Sequence, residues 1–220
     1  MKKIFKNRRE AGEFLADKLI EYANRADLIV LGLPRGGIPV AYEVAHKLNA
    51  PLDVFVVRKL GVPGHEELAM GAIASGGVRV LNDDVISCLG IPADVLDAVA
   101  VDEMRELGRR ERLYRGKRPP LRVKGRTVII VDDGLATGST MRAAVKSLQQ
   151  HHPRKIVVAA PVGARETCDS FKTEVDTICV CAITPEPFQA VGLWYANFMQ
   201  TTDEEVRDLL SRADREKLAA

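Results

Sequence analysis

The chain has 220 residues, 46% hydrophobic and 28% charged, with 32 Lys+Arg against 30 Asp+Glu and a net charge of +2. That balance buries a core and excludes intrinsic disorder, and it supplies no whole-molecule field to gather nucleic acid or a membrane surface. The longest uninterrupted apolar run, Ile178 to Ile183, is six residues, where a membrane-spanning helix needs about 20.

The basic N-terminus MKKIFKNRRE leads into no apolar stretch, so no secretory signal is expected. Four cysteines, Cys88, Cys168, Cys179 and Cys181, are too sparse for a disulfide framework. Cys179 and Cys181 alternate along a strand-like run and so share a face; all four read as reduced, small hydrophobes. Together these features lead us to expect a cytoplasmic protein.

In chain order, Ala11, Phe14, Leu15, Leu19 and Tyr22 form a helical stripe over 9–22. LIVLGL (28–33) is a buried strand ending at Pro34-Arg35-Gly36-Gly37, after which Val40, Val44, Ala45 and Leu48 mark a helix. LDVFVV (52–57) is a second strand. Arg58 to Gly77, with its glycines and Pro63, reads as a long loop, and loops of that length in a compact domain are functional or mobile. VRVL (78–81) is a short strand, 92–115 a helix, TVIIV (127–131) a strand, and Met141, Ala144, Val145 and Leu148 place a further helix. KIVVAAP (155–161), a helix near 164–172 and TICVCAI (177–183) continue the alternation. Thr202 with Glu205 caps a last helix carrying Val206, Leu209 and Leu210. Apolar strands alternating with helices predict an α/β fold with a parallel sheet covered on both faces. Ligands in such folds bind at the loops leaving the carboxyl ends of the strands. We expect one domain over 1–220, with a core at about 28–183, a helical insertion at about 88–118 and a tail at about 184–220.

VIIVDDGLATGST (128–140) is the most informative stretch. A buried strand delivers Asp132 and Asp133 to its tip, and the loop Gly134 to Thr140 opens into a helix. Successive backbone N–H groups at a helix start form an anion cup reinforced by the helix dipole. Thr137, Ser139 and Thr140 add hydroxyls, and Gly138 permits close backbone approach. No Lys-Ser/Thr pair follows the glycine, so this is not a Walker loop. The two carboxylates suit a vicinal diol, which donates charge-assisted hydrogen bonds to them. A phosphate cup beside a diol clamp fits a ribose 5-phosphate.

The segment resembles the phosphoribosyl pyrophosphate (PRPP) binding motif of the type I phosphoribosyltransferases, and the element order over 28–183 is similar to that family's core. The resemblance implies the parallel-sheet, Rossmann-like fold of that family. It implies that Asp132 and Asp133 hold the ribose hydroxyls, and that Gly134, Ala136, Thr137, Gly138, Ser139 and Thr140 hold the 5-phosphate. The turn at 33–37 looks like the family's pyrophosphate loop, with Arg35, Gly36 and Gly37 binding diphosphate. The 58–77 loop corresponds to its flexible lid, with Arg58 and Lys59 neutralising the leaving diphosphate. The implied reaction replaces pyrophosphate at ribose C1 with a nitrogenous base or related small nucleophile, with Asp132, Asp133, Arg58 and Lys59 as the catalytic set. Mg²⁺ would be carried by PRPP oxygens, with no ligand supplied directly by the protein. The implied partners are PRPP and the nucleophile, in a homo-oligomer and without a membrane.

Ala136 stands where some purine-specific members carry a third acid, which argues against a 6-oxopurine enzyme of that pattern. Glu66, Glu67 and His65 read as lid surface. Phe188, Trp194 and Tyr195 read as packing the tail onto the core rather than stacking on a base. The ten Lys/Arg within 105–126, against Glu106 and Glu111, form a basic stripe, for which solvation or subunit contact is favoured over RNA. Two other readings stand beside the enzyme: a PRPP- or nucleotide-sensing regulator that binds RNA, and a non-catalytic subunit of the same fold.

Overall fold

Continuous apolar runs need cover on both faces of a sheet, and the computed structural model, which describes residues 3–172 and 177–219, supplies it. Strands β1 (Leu28–Gly32), β2 (Leu52–Val54), β6 (Thr127–Val131), β7 (Lys155–Val162) and β8 (Thr177–Ile183) form one parallel sheet, ordered β2-β1-β6-β7-β8. Side chains alternate between its faces with period two. Leu28, Val30, Ile129, Val131, Val157 and Ala159 enter one buried cluster, and Ile29, Leu31, Val128, Ile130, Ile156 and Val158 the other. Helices α1 (Arg8–Lys18), α2 (Gly37–Leu48) and α7 (Asp203–Ala219) supply apolar residues to the first cluster, and α5 (Ser139–Gln150) and α6 (Arg165–Lys172) to the second. The α/β parallel-sheet expectation is met.

The chain runs from β1 outward to β2 and returns to place β6 on the other side of β1. The ends of β1 and β6 therefore form the switch point at which open α/β sheets bind ligands. The loops that leave them are 33–37 and 132–138.

The long loop expected at 58–77 is not a loop. It folds as β3 (Val57–Val62), β4 (His65–Ala74) and, after a short turn, β5 (Val78–Leu81), an antiparallel sheet ordered β3-β4-β5. Gly61 and Gly71 serve tight strand approach, while Gly64, Gly76 and Gly77 take the positive φ of the turns. A Cβ on Gly61 would lie 2.9 Å from the Glu66 carbonyl oxygen, beside register shifts in the β3–β4 ladder, and one on Gly71 would lie 2.6 Å from that of Val80. His65 and Glu66 fall in β4; the side chain of Glu67 lies outside the described residues. Helix α3 (Asp83–Leu89), capped by Asn82, was not anticipated, and α4 (Ala93–Arg115) follows it.

The basic stripe turns out to be largely structural. Arg105, Arg109 and Arg110 pair with acids on their own helix, and Arg126 donates to the Leu28 carbonyl. Arg115 and Arg118 converge on Asp53 of β2, at 3.0 and 3.3 Å, and Arg118 also reaches Asp214 and the Leu210 carbonyl of α7.

Cys168 of α6 and Cys181 of β8 are joined as a disulfide over Gly163, whose missing side chain leaves room for both sulfurs. This corrects the reading of all four cysteines as reduced and removes one ground for a cytoplasmic address. Sequence spacing did not show it because the two meet only when α6 folds back on the sheet. Cys88 is free, and the side chain of Cys179 lies outside the described residues. No helix among the described residues is long and apolar enough to cross a membrane.

Asp53 holds two arginines in a nearly dry setting, its side chain only 12% exposed. Removing one partner of such a cluster leaves uncompensated buried charge. Asp53→Asn should therefore cost about 3 kcal/mol in urea unfolding; a loss under about 0.5 kcal/mol, the range of ordinary surface substitutions, would show the cluster to be inert.

Candidate functional site

At the switch point two backbones meet at contact distance. A Cβ on Gly36 would fall 2.0 Å from Asp133 Oδ2, and one on Gly37 would fall 2.7 Å from the Val131 carbonyl and 3.0 Å from Asp132 Cα. Only glycine admits this approach. The Leu33 amide donates to the Val131 carbonyl at 2.9 Å, which locks the two loops side by side. The peptide bond between Pro34 and Arg35 is cis.

Both loops open into helix N-termini with glycine at the cap. Gly36 caps α2 and Gly138 caps α5, and neither cap offers a side-chain acceptor. The amides of Ala136, Thr137, Gly138 and Thr140, like those of Arg35 and Gly36, donate to no protein group among the described residues. Loop carbonyls, in contrast, are held from behind. Thr167 Oγ1 donates to the Ala136 carbonyl at 2.5 Å, and Arg142 Nη1 to the Thr137 carbonyl at 2.6 Å. In a trans peptide the N–H lies opposite its C=O, so holding these two carbonyls from behind turns the Thr137 and Gly138 amides the other way. Gly138 has φ +73°, and a Cβ there would meet Thr167 at 2.7 Å and Phe171 at 3.0 Å. The result is a fixed cup of outward amides at the positive end of a helix dipole.

The two acids are not equivalent. Asp132 Oδ1 accepts the Asp133 amide at 2.8 Å. Burial, and then the neighbouring Asp133 charge, push its carboxyl well above the usual range. Burial also raises Asp133, opposed by Arg8, whose Nε donates to Asp133 Oδ2 at 2.8 Å. The Tyr195 hydroxyl donates to the Asp133 carbonyl at 2.6 Å.

The remaining expected residues divide. Strand alternation sends Arg58 and Lys59 to opposite faces of β3. Arg58 Nε donates to Glu103 of α4 at 2.6 Å. Lys59 lines a cleft of about 530 Å³ together with Leu81, Asp83, Ser139, Thr140 and Lys146. Arg35 extends toward Asp203 of α7 at 3.7 Å. Ser139 and Thr140 are exposed at the mouth of the cup. Trp194 and Tyr195 are buried with Phe5 and Ala11 and pack the tail onto the core as expected, while Phe188 is half-buried at its edge. Sequence reasoning missed Arg8 and Thr167, whose partners Asp133 and Ala136 are distant in the chain, and Arg142, which reaches back five residues to the Thr137 carbonyl.

The unequal acids predict unequal stability effects. A carboxyl whose folded pKa is raised loses stability as pH climbs from the ordinary carboxylate value through the raised one. Asp132→Asn removes that loss and should melt at or above wild type at pH 7, by roughly 2–4 °C for about 1 kcal/mol, with the gap closing near pH 4. Asp133→Asn relieves a smaller rise of the same sign but leaves the Arg8 guanidinium with a weaker partner, so at pH 7 it should be less stable than Asp132→Asn by about 1–2 kcal/mol. Scanning calorimetry at both pH values checks the pair; equal shifts would refute the distinction.

A phosphoribosyl transferase domain family model matches residues 64–195, from the antiparallel sheet through both acids and the cup to Tyr195. A Mycobacterium tuberculosis protein that carries the provisional name phosphoribosyl transferase Rv0571c is 48% identical over 214 residues, which cover 97% of this chain and 48% of the relative. The chain thus spans about half the length of the curated relatives it matches. The crystal structure of the protein TT1426 from Thermus thermophilus superposes with a TM-score of 0.82 at 40% identity, covering 94% of this chain and 98% of that one. A Neisseria gonorrhoeae protein solved with bound ppGpp shares the fold, with a TM-score of 0.51 at 16% identity over 96% of this chain and 98% of that one. With a switch-point site of this form and a family model covering more than half its length, the chain belongs to the type I phosphoribosyltransferase family.

Proposed function

We propose that the chain is a phosphoribosyltransferase that binds PRPP and transfers its 5-phosphoribosyl group to a nitrogen nucleophile, releasing pyrophosphate. The observation that carries this reading is the loop at 134–140, whose amides at Ala136, Thr137, Gly138 and Thr140 have no protein acceptor among the described residues, beside two carboxylates at the β1/β6 switch point. A terminal phosphate accepts from the amides of Ala136, Thr137, Gly138 and Thr140 and from the hydroxyls of Thr137, Ser139 and Thr140. The ribose hydroxyls donate to Asp132 and Asp133. The open amides of Arg35 and Gly36, at the start of α2, take the diphosphate, with the Arg35 guanidinium and Lys59 as its counter-charges.

In the reaction the nucleophile's nitrogen forms a bond to ribose C1 while the C1–O bond breaks, and the electron pair leaves on pyrophosphate. The protein's contribution is to hold both ends of the sugar and to stabilise the charge that develops on the departing diphosphate. Carboxylates and hydroxyls are hard oxygen donors, which suit a Mg²⁺ carried on the diphosphate and ribose oxygens. That ion would neutralise diphosphate charge. The cleft beneath β3–β5 begins at Ser139 and Thr140 and has the volume of a small-ligand pocket, and it receives the nucleophile. The RNA-binding alternative draws no support from the basic stripe, whose arginines at 105, 109, 110, 115, 118 and 126 are engaged within the protein.

Incubation with PRPP, Mg²⁺ and a panel of nitrogenous bases should release pyrophosphate with at least one of them. Asp132→Asn should weaken PRPP binding by about 10- to 100-fold, the weight of one charge-assisted hydrogen bond, without loss of fold. Calorimetry that detects no PRPP binding by the wild-type protein with Mg²⁺ would refute the reading.

A further inference from the structure

Residues 4–8 and 188–199 lie outside the sheet, yet they meet at the site. The amides of Ile4 and Phe5 donate to the Trp194 carbonyl at 3.0 Å, and those of Ala196 and Asn197 donate to the Phe5 and Lys6 carbonyls at 2.8 Å. This zipper delivers the chain to Asn7, whose side chain caps α1 by accepting from the Glu10 amide. Arg8, the first residue of that helix, is thereby aimed at the tip of β6, 125 residues away.

Its guanidinium is fixed on three sides. Nε donates to Asp133 Oδ2 at 2.8 Å, Nη1 donates to the Met199 carbonyl at 2.7 Å, and the guanidinium carbon lies 4.0 Å from the centre of the Phe198 ring. The Arg8 and Asp133 side chains are 12% and 15% exposed. In so dry a setting an arginine is held by partners in definite geometry, and exchanging it for another residue alters that geometry. Nε also lies 3.3 Å from where a Gly36 side chain would begin, so Arg8 sits behind the contact between the two site loops.

We propose that Arg8 is a positioning residue for the sugar-binding acid: it fixes one oxygen of Asp133 and leaves the other to accept from substrate, and the zipper between the N-terminal segment and the tail exists to place it. This rests on the reading of Asp133 as a ribose ligand. Arg8 lies outside the segment that the family model matches, so the site extends beyond that segment. The groups that face Asp133 are Arg8 from α1, Asp132 beside it, and the Tyr195 hydroxyl from the tail.

Two measurements on Arg8→Gln, Arg8→Lys and the exposed neighbour Arg9→Gln test it. The first needs no ligand: carbon-13 NMR titration of the Asp133 carboxyl. Arg8→Gln should move its midpoint upward by at least one pH unit, Arg8→Lys by less, and Arg9→Gln not at all. The second is calorimetry with PRPP and Mg²⁺ well below the melting temperature. There Arg8→Gln should weaken binding at least tenfold, Arg8→Lys should restore most of it, and Arg9→Gln should match wild type. An unmoved Asp133 midpoint in Arg8→Gln overturns the inference. So does wild-type PRPP affinity in that variant. Absence of PRPP binding in wild type with a moved midpoint instead overturns the substrate reading and leaves Arg8 as the residue that fixes Asp133.

Discussion

The arrangement depends on one steric condition, the contact between the Gly36–Gly37 backbone and the carboxylates at the end of β6. A side chain at either glycine would collide with Asp133 or with the β6 backbone. Because nothing stands there, α2 and α5 each open with glycine at the cap, following the adjacent strands β1 and β6. A helix start without a capping side chain leaves orphan N–H groups. Two such starts flanking two acids make a surface that selects a ligand with anionic ends and a hydroxylated middle. The parallel sheet contributes register, since β1 and β6 are paired residue for residue from Leu28–Thr127 to Gly32–Val131.

The site is costly to maintain. Asp132 is held where burial and a neighbouring carboxylate disfavour its charge, while Asp133 is offset by an arginine drawn from the far end of the chain. Isolated stability would favour a neutral residue at 132. That such a group persists at a strand tip beside open amides fits a place where stability yields to binding. The support extends behind the cup. Thr167 and Arg142 hold its carbonyls, and the Cys168–Cys181 link ties α6, which carries Thr167, to β8.

Much of this was legible in the sequence because its physics is local. Four β-formers, two acids and a Gly/Thr/Ser loop before a helix lie within thirteen residues, so strand, acids and cup could be placed together from 128–140. The alternation of apolar runs and helical stripes likewise yielded the five core strands. What failed was long-range or depended on reading glycine correctly. Gly61 and Gly71 suggested a loop, yet they serve close strand approach in an antiparallel sheet. Arg58, expected at the base of a lid, has a partner that no local pattern announces, Glu103 on a helix 45 residues on. Arg8, Thr167 and the Cys168–Cys181 pair were invisible for the same reason: each acts on a partner that only the folded sheet brings near.

The central claim is that the outward amides of 136–140 grip a phosphate. It is tested most directly by amide NMR of the isotopically labelled protein titrated with ribose 5-phosphate, which carries the phosphate and the diol but no diphosphate. The account predicts saturable shifts concentrated at Ala136, Thr137, Gly138 and Thr140, with smaller ones at Asp132 and Asp133. Unmoved amides in that loop, or shifts confined to other surfaces, would contradict it.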